Sequence, residues 1–315
     1  MTYSYLHGSK VSVRKSFEAT IFIYFYISEH QENNMKIKFW GCRGSIAAPG
    51  PETVIYGGNT TCVEVLSDSE ETSIIDCGTG IRNLGDYLLK EGKQLKVNLF
   101  MTHIHWDHLL GLPFFGPLFK PECHLTVNGC RQCFAGLKRI FSSDYIDGAW
   151  PVRYEDLKAR IDPPADIPMS SYQTGDITVY SHPLQHPQGG MGFKFVENGK
   201  VFVFLTDNEL LENGWVGSAF KDFVKFCKGA DILVHDGQYL PEEIEARRGW
   251  GHSDFESVCR LAIQAEVKKL FLFHHDPWRT DKGVSEIVDR SWEFLDIHGY
   301  PIDIDAAREG ATIYL

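Results

Sequence analysis

The sequence predicts an α/β protein of mixed β-sheets covered by helices, in two halves that meet near residue 170. Three observations predict it. Short apolar runs end in Gly, Asp or His, the pattern of strands buried on both faces. Segments with helical spacing follow several of these runs. Asn198-Gly199 joins two more strands as a hairpin, because both turn residues tolerate positive φ.

The elements follow in order. A strand begins at Met35 with Lys36-Ile37-Lys38-Phe39-Trp40, and Val63–Leu66 and Ser73–Asp76 read as neighbouring strands. Leu95–Thr102 is a buried strand and His124–Asn128 another. Gly192–Glu197 and Lys200–Thr206 flank the hairpin turn, and Ala230–His235 and Lys269–His274 are short apolar strands. Between those two, Ser253–Glu266 has helical spacing, with Ser253 as N-cap and Glu256 completing a capping box. Val284–His298 is a second amphipathic helix. Residues 35–315 therefore read as one domain.

Residues 1–34 differ from the rest. Ala19–Ile27 is apolar but too short to span a bilayer, and no small-residue cleavage site follows it. The expectation is an extension with a non-native start or a disordered lead, the true start being Met35. A membrane-surface anchor is the alternative reading.

A net charge of −11 argues against a general nucleic-acid-coating surface, which needs surplus Lys and Arg. An anionic substrate stays open, because one metal site can override the global sign locally. The eight cysteines, with no credible export signal, read as reduced thiols of a cytoplasmic protein. Cys130-x-x-Cys133 lacks the second C-x-x-C that a four-sulfur zinc site needs.

The chemistry concentrates in Thr102-His103-Ile104-His105-Trp106-Asp107-His108. This run begins where an apolar strand stops. In extended chain, positions i and i+2 face the same way, so His103 and His105 converge on one point. Asp107 and His108 then open a helix and supply a carboxylate and a third imidazole to an adjacent point. Neutral imidazole and carboxylate suit Zn²⁺, with Mn²⁺ or Fe as alternatives.

Here the chain resembles the metallo-β-lactamase superfamily, whose hallmark is H-x-H-x-D-H. The resemblance implies a four-layer αββα sandwich of two mixed β-sheets with helices on both outer faces. It also implies later elements, which this sequence supplies in order: Asp76 after a strand, His186, Asp207 after a strand, and the pair His274-His275. Carried over, it implies that His103, His105 and His186 hold one metal ion. Asp107, His108 and His274 hold a second, and Asp207 bridges. Which of His274 and His275 is the ligand stays open, with His274 preferred as the residue ending the strand. Asp76 would order the metal loop without binding the metal. Two divalent ions with two carboxylates and one hydroxide leave the site net positive, suited to a phosphodiester.

Two further stretches resemble the ribonuclease Z and cyclic-nucleotide phosphodiesterase branch. Gly249-Trp250-Gly251-His252-Ser253 is similar to its His-Ser/Thr motif, and Leu233-Val234-His235-Asp236 to its His-Glu pair, with Asp in place of Glu. An acid beside His252 would favour its protonated form, as a general acid for the leaving oxygen requires. The resemblance thus implies Asp107, His252 and Asp236 as catalytic residues. Gly41-Cys42-Arg43-Gly44-Ser45 resembles the branch's opening loop, with Arg43 as a candidate substrate contact. Trp250 and Trp278 are candidates to stack a base.

The long Gly- and Lys-rich arm of the tRNA-processing members is missing between His108 and His186. Lys158–Pro168 is short and Pro-rich, and reads as an active-site flap or a homodimer contact. The expected activity is a binuclear metal-dependent phosphodiesterase acting on a small cyclic nucleotide. An RNA or tRNA 3′-processing endonuclease, or a thioester hydrolase, is the alternative. The expected partner is a small anionic substrate, with no extended nucleic-acid surface and no membrane.

Overall fold

The computed structural model describes residues 35–129, 131–142, 150–163, 171–214, 217–300 and 302–315. The extension 1–34 and Cys130 of the C-x-x-C pair lie outside them.

Alternation of side chains along the strands decides the layering. In Phe202-Val203-Phe204-Leu205 the two phenylalanines join one buried cluster and Val203 and Leu205 another. Ile232 and Val234 likewise point opposite to Leu233, and Phe271 and Phe273 opposite to Leu270 and Leu272. Each of these strands is buried on both faces, as its apolar run predicts.

Among the described residues the strands form two seven-stranded sheets. The first contains β1 (Lys36–Gly41), β2 (Cys62–Leu66), β3 (Thr72–Ile75), β4 (Lys96–Phe100), β5 (His124–Asn128), β6 (Arg160–Asp162) and β14 (Thr312–Tyr314). Its order is β14-β1-β2-β3-β4-β5-β6, antiparallel up to β3 and parallel from β3 to β6. The second contains β7 (Tyr172–Thr174), β8 (Ile177–Pro183), β9 (Met191–Glu197), β10 (Lys200–Leu205), β11 (Ile232–Asp236), β12 (Lys269–Phe273) and β13 (Asp303–Ala306). Its order is β13-β12-β11-β10-β9-β8-β7, with β10 to β13 parallel and β7 to β10 antiparallel. The halves do part between β6 and β7, near residue 170. The last strand is the exception, because β14 returns to pair with β1.

Three apolar layers separate four structural ones. Between the sheets lie Ile37, Phe39, Val65, Phe100, Phe195, Phe204 and Phe273. Outside the first sheet, α1 (Ile81–Lys90) and α3 (Arg131–Arg139) pack through Leu84, Leu88 and Leu137. Outside the second, α4 (Phe220–Cys227), α6 (Phe255–Gln264) and α7 (Asp281–Ile297) pack through Phe223, Val258 and Ile287. This is the αββα sandwich that the resemblance implies. Two short helices, α2 (Trp106–Leu109) and α5 (Pro241–Ile244), sit in loops at the strand ends.

Three sequence expectations need correction. Asp254, not Ser253, caps α6: its Oδ1 accepts from Ser257 N at 3.0 Å. Ser253 Oγ is engaged elsewhere, donating to Asn208 O and accepting from Leu210 N. In Lys158–Pro168, Arg160–Asp162 is edge strand β6 rather than a flap, because it extends the ladder of β5; residues 164–168 lie outside the described residues. Arg43 contacts no open space. It is fully buried, and its guanidinium donates to the carbonyls of Gly57, Asp276 and Arg279. A long buried cation needs such acceptors, and here it braces the loop after β12.

Candidate metal centre

The candidate residues sit at strand ends along one rim of the sandwich. Asp76 follows β3, the His103–His108 run follows β4, Asp207 follows β10, and His274 follows β12. Asp76, Asp207 and His274 all take positive φ (60°, 56° and 55°), a costly conformation for non-glycine residues, held where the chain must turn a side chain inward.

Three overlapping donor groups result. His103, His105 and His186 form the first, Asp107, His108, Asp207 and His274 the second, and His186, Asp207 and His252 a third that shares His186 with the first and Asp207 with the second; within each, the donor atoms lie within 4.8 Å of one another. His186 Nε2 is 3.0 Å from His105 Nδ1, and His274 Nε2 is 3.0 Å from Asp107 Oδ2. Asp207 lies between the groups. Its Oδ1 is 3.9 Å from both His103 Nε2 and His186 Nε2, and its Oδ2 is 3.2 Å from His108 Nε2.

These spacings fit divalent cations. Zinc–nitrogen bonds near 2.0–2.1 Å at tetrahedral angles set ligand atoms about 3.3 Å apart. His103 Nε2 and His108 Nε2 are buried, face the centre, and have no hydrogen-bond partner. Such orphans are costly unless a cation takes the lone pair. The opposite ring nitrogens are anchored: His103 Nδ1 on Thr102 Oγ1, His108 Nδ1 on Asp76 at 2.8 Å, His186 Nδ1 on Gly251 O, and His274 Nδ1 on Gln238 Oε1 at 2.8 Å. Such bonds fix the tautomer and aim the free nitrogen at a metal. Asp76 also accepts from Thr102 N and Oγ1, so it orders the loop from behind.

Without a cation the donors carry charge unequally: burial opposes protonation of His108 and His274, but Asp107 and Asp207 outweigh it and raise the pKa of both. Burial opposes the charged forms of Asp107 and Asp207, yet the surrounding imidazoles outweigh it and hold both well below the usual carboxylate range. Burial and His108 push His103 well below the usual imidazole range, and burial brings His186 to about 4, leaving their lone pairs free.

Their surroundings separate the paired histidines. His274 Nε2 faces Asp107 and Asp207, whereas His275 Nε2 bonds Ala307 O and its ring packs on Tyr56. His275 belongs to the core.

His252 and Asp236 come to the same rim. His252 Nδ1 lies 3.3 Å from Asp236 Oδ2 and 3.9 Å from Asp207 Oδ1, and its ring stacks on His274 at 4.9 Å. The shorter Asp comes within ion-pair distance, yet His252 Nδ1, like His103 Nε2 and His108 Nε2, has no hydrogen-bond partner. Burial works to raise the Asp236 pKa, but contacts from His235 and His252 bring it down to about 2.

Several contributing residues carry no sequence signal for this role. Ser45 N donates to Asp107 Oδ2 at 2.7 Å, and Gln188 Oε1 meets His105 Nε2 at 2.9 Å. Glu209, buried two residues after Asp207, accepts from the backbone of Gly249 and Gly251 and clamps the loop bearing His252. Gly44 and Gly251 are legible only in retrospect. A Cβ on either would lie 2.3 Å from His274 Nδ1 or 2.1 Å from His186 Nδ1.

The geometry has counterparts among known proteins. Residues 72–275 match the family described as a beta-lactamase superfamily domain. The chain belongs to that superfamily. A ribonuclease Z of Bacillus mycoides is 23% identical, covering 85% of this chain and 100% of its own. The metallo-beta-lactamase fold protein YhfI of Bacillus subtilis superposes with a TM-score of 0.64 at 15% identity, over 89% of this chain and 99% of its own. Yeast PDE1 superposes with a TM-score of 0.64 at 12% identity, over 90% and 99%. This metallo-β-lactamase-type chain is a hydrolase, and its fold implies divalent metal ions. Among the described residues, no helix is long and apolar enough to cross a membrane.

Proposed function

We propose that this metallo-β-lactamase superfamily member hydrolyses a phosphodiester, with a small cyclic nucleotide as its substrate. The observation that carries the reading is the convergence of His252, paired with buried Asp236, on a rim where seven donors surround two adjacent points. His103, His105 and His186 would hold one ion, Asp107, His108 and His274 the other, with Asp207 shared. Bound divalent ions supply Lewis acidity toward a phosphoryl oxygen and a water of lowered pKa.

The chain's own groups do the rest. Ser45 N holds Asp107 in place, and Gln238, Asp76 and Gly251 O fix three imidazoles. As water adds to phosphorus and releases a proton to solvent, the bond to the ester oxygen breaks, and His252 gives that oxygen a proton and regains one from solvent. Asp236 Oδ2, 3.3 Å from His252 Nδ1, places a negative charge beside the ring and favours its protonated form. A cavity of about 530 Å³ beside His252 suits a small ligand, and the net charge of −11 disfavours a long polyanion.

A second reading, RNA 3′ processing, is favoured by the relatives named ribonuclease Z. Turnover by the metal-loaded chain on cyclic mono- and dinucleotides, a 3′-extended tRNA, short RNA and a thioester separates these. Cyclic-nucleotide cleavage is the expected result. Cleavage of the tRNA alone would replace the substrate, and cleavage of the thioester alone would remove the phosphodiesterase reading.

A further inference from the structure

The cavity beside His252 has an unusual rim. Trp250 and Trp278 both line it and are 59% and 85% exposed. Scattered surface apolar residues need no explanation, but two large aromatic rings on one cavity next to a reactive histidine do. Neither belongs to a flexible tail. Glu209 clamps the backbone on either side of Trp250. Trp278 sits in a turn closed by Arg279 N donating to Asp276 O, and buried Arg43 braces the turn at both ends. The backbone that carries both rings is thus already ordered in the fold, which lowers the cost of binding on them.

The rest of the lining selects the kind of ring. Tyr239 closes the cavity beneath, edge-on to His252 at 6.0 Å, and Arg247 lies 4.8 Å over its face. Apart from His252, the cavity's charged side chains are Arg247, Arg279, Glu243 and Asp276, two of each sign, so only the proton on His252 adds positive charge. Arg279 and Glu243 pair at 2.6 Å. Arg247 donates Nη1 to Glu243 O and Asp276 Oδ1 accepts from Trp278 N, but neither has an ion-pair partner among the described residues, so Arg247 Nη2 and Asp276 Oδ2 remain for a ligand. A second phosphate would want surplus cations, and an aliphatic group would leave both polar ends unmatched. A flat, uncharged ring with donors and acceptors on its edge satisfies both.

We propose that this cavity is a nucleobase subsite, with Trp278 and Trp250 as stacking surfaces and Arg247 and Asp276 at the base edge. It rests on the phosphodiesterase reading for what the base is attached to. It makes the enzyme select nucleotidyl diesters over alkyl ones by binding the part of the substrate that does not react.

The test needs one reading independent of turnover. Calorimetry of the full chain with adenosine 5′-monophosphate and ribose 5-phosphate compares ligands differing only by the base. The base should tighten binding at least about 10-fold, and Trp278→Ala should erase about 5- to 100-fold of it, the range for losing a stacking aromatic. Trp278→Phe should restore most of the difference. In turnover, kcat/KM for thymidine 5′-p-nitrophenyl phosphate relative to methyl p-nitrophenyl phosphate, with one shared leaving group, should fall by a similar factor in Trp278→Ala. Equal binding of the two phosphates, or equal losses on both, would overturn the subsite. Base-dependent binding without hydrolysis of either ester would uphold the subsite and refute the phosphodiesterase reading instead.

Discussion

The same unit, a fully buried aspartate behind a histidine, occurs on two sides of the centre with different surroundings. On the β3 side, Asp76 holds His108 at 2.8 Å, and His108 is wholly enclosed with Nε2 facing Asp107 and Asp207. On the β11 side, Asp236 accepts from Asn208 N and Ser253 N and lies 3.3 Å from His252 Nδ1 as a charge contact without hydrogen-bond geometry, and His252 is 8% exposed where it meets the cavity. Under the proposed function, enclosure suits the first unit to anchor a metal ligand, because its proton has nowhere to go. Access to the cavity suits the second to exchange a proton. The acid–histidine pair alone sets neither role; what lies in front of the histidine does.

The comparison breaks first if Asp207, which both sides share, is replaced. Asp207→Ala should lose both ions together and reduce turnover to background, read by elemental analysis on the assayed preparation. Retention of a full complement of metal would remove Asp207 from the bridging position.

A smaller effect tests the cavity side alone. His252→Ala should keep both ions while kcat falls about 10²- to 10⁴-fold for a ribose leaving group, the usual worth of a positioned acid. The loss should be slight for p-nitrophenolate, which leaves without a proton. Equal losses on the two would show that His252 is not the acid.

Smaller again, the two aspartates should fail differently. Asp76→Asn should weaken metal affinity about 10- to 100-fold, as removal of a ligand's hydrogen-bond partner does. Asp236→Asn should leave metal affinity near wild type and lower the rate for the poor leaving group. Competition with a chelator and a leaving-group series on both variants would collapse the distinction if the profiles coincide. The smallest effect bounds the β11 side from below. Asp254→Ala removes only the cap of α6, so it should cost about 1 kcal/mol and lower Tm by about 2–4 °C. A leaving-group-dependent rate loss in this variant would extend the catalytic unit into the helix.

Local pattern determined much of this protein by itself. Strand parity put His103 and His105 on one side, apolar runs named the doubly buried strands, and Asn198-Gly199 set a hairpin whose residues do take positive φ. Such features depend on neighbours within a few residues, so a sequence carries them. The resemblance to the superfamily pointed to the distant residues His186, Asp207 and His274, which the fold brings to the same rim as the His103–His108 run. Tertiary structure alone decided the rest. Ser253 and Asp254 are both competent caps, and only the pull of Asn208 and Leu210 on Ser253 left the role to Asp254. Arg43 looked available to a substrate until three carbonyls from distant loops enclosed it. His274 and His275 are the same residue type side by side, and the positive φ at His274 turned one inward and left the other to Ala307. In each case the choice lay with groups far away in sequence, whose unmet hydrogen bonds or charges fall on one candidate and not its neighbour.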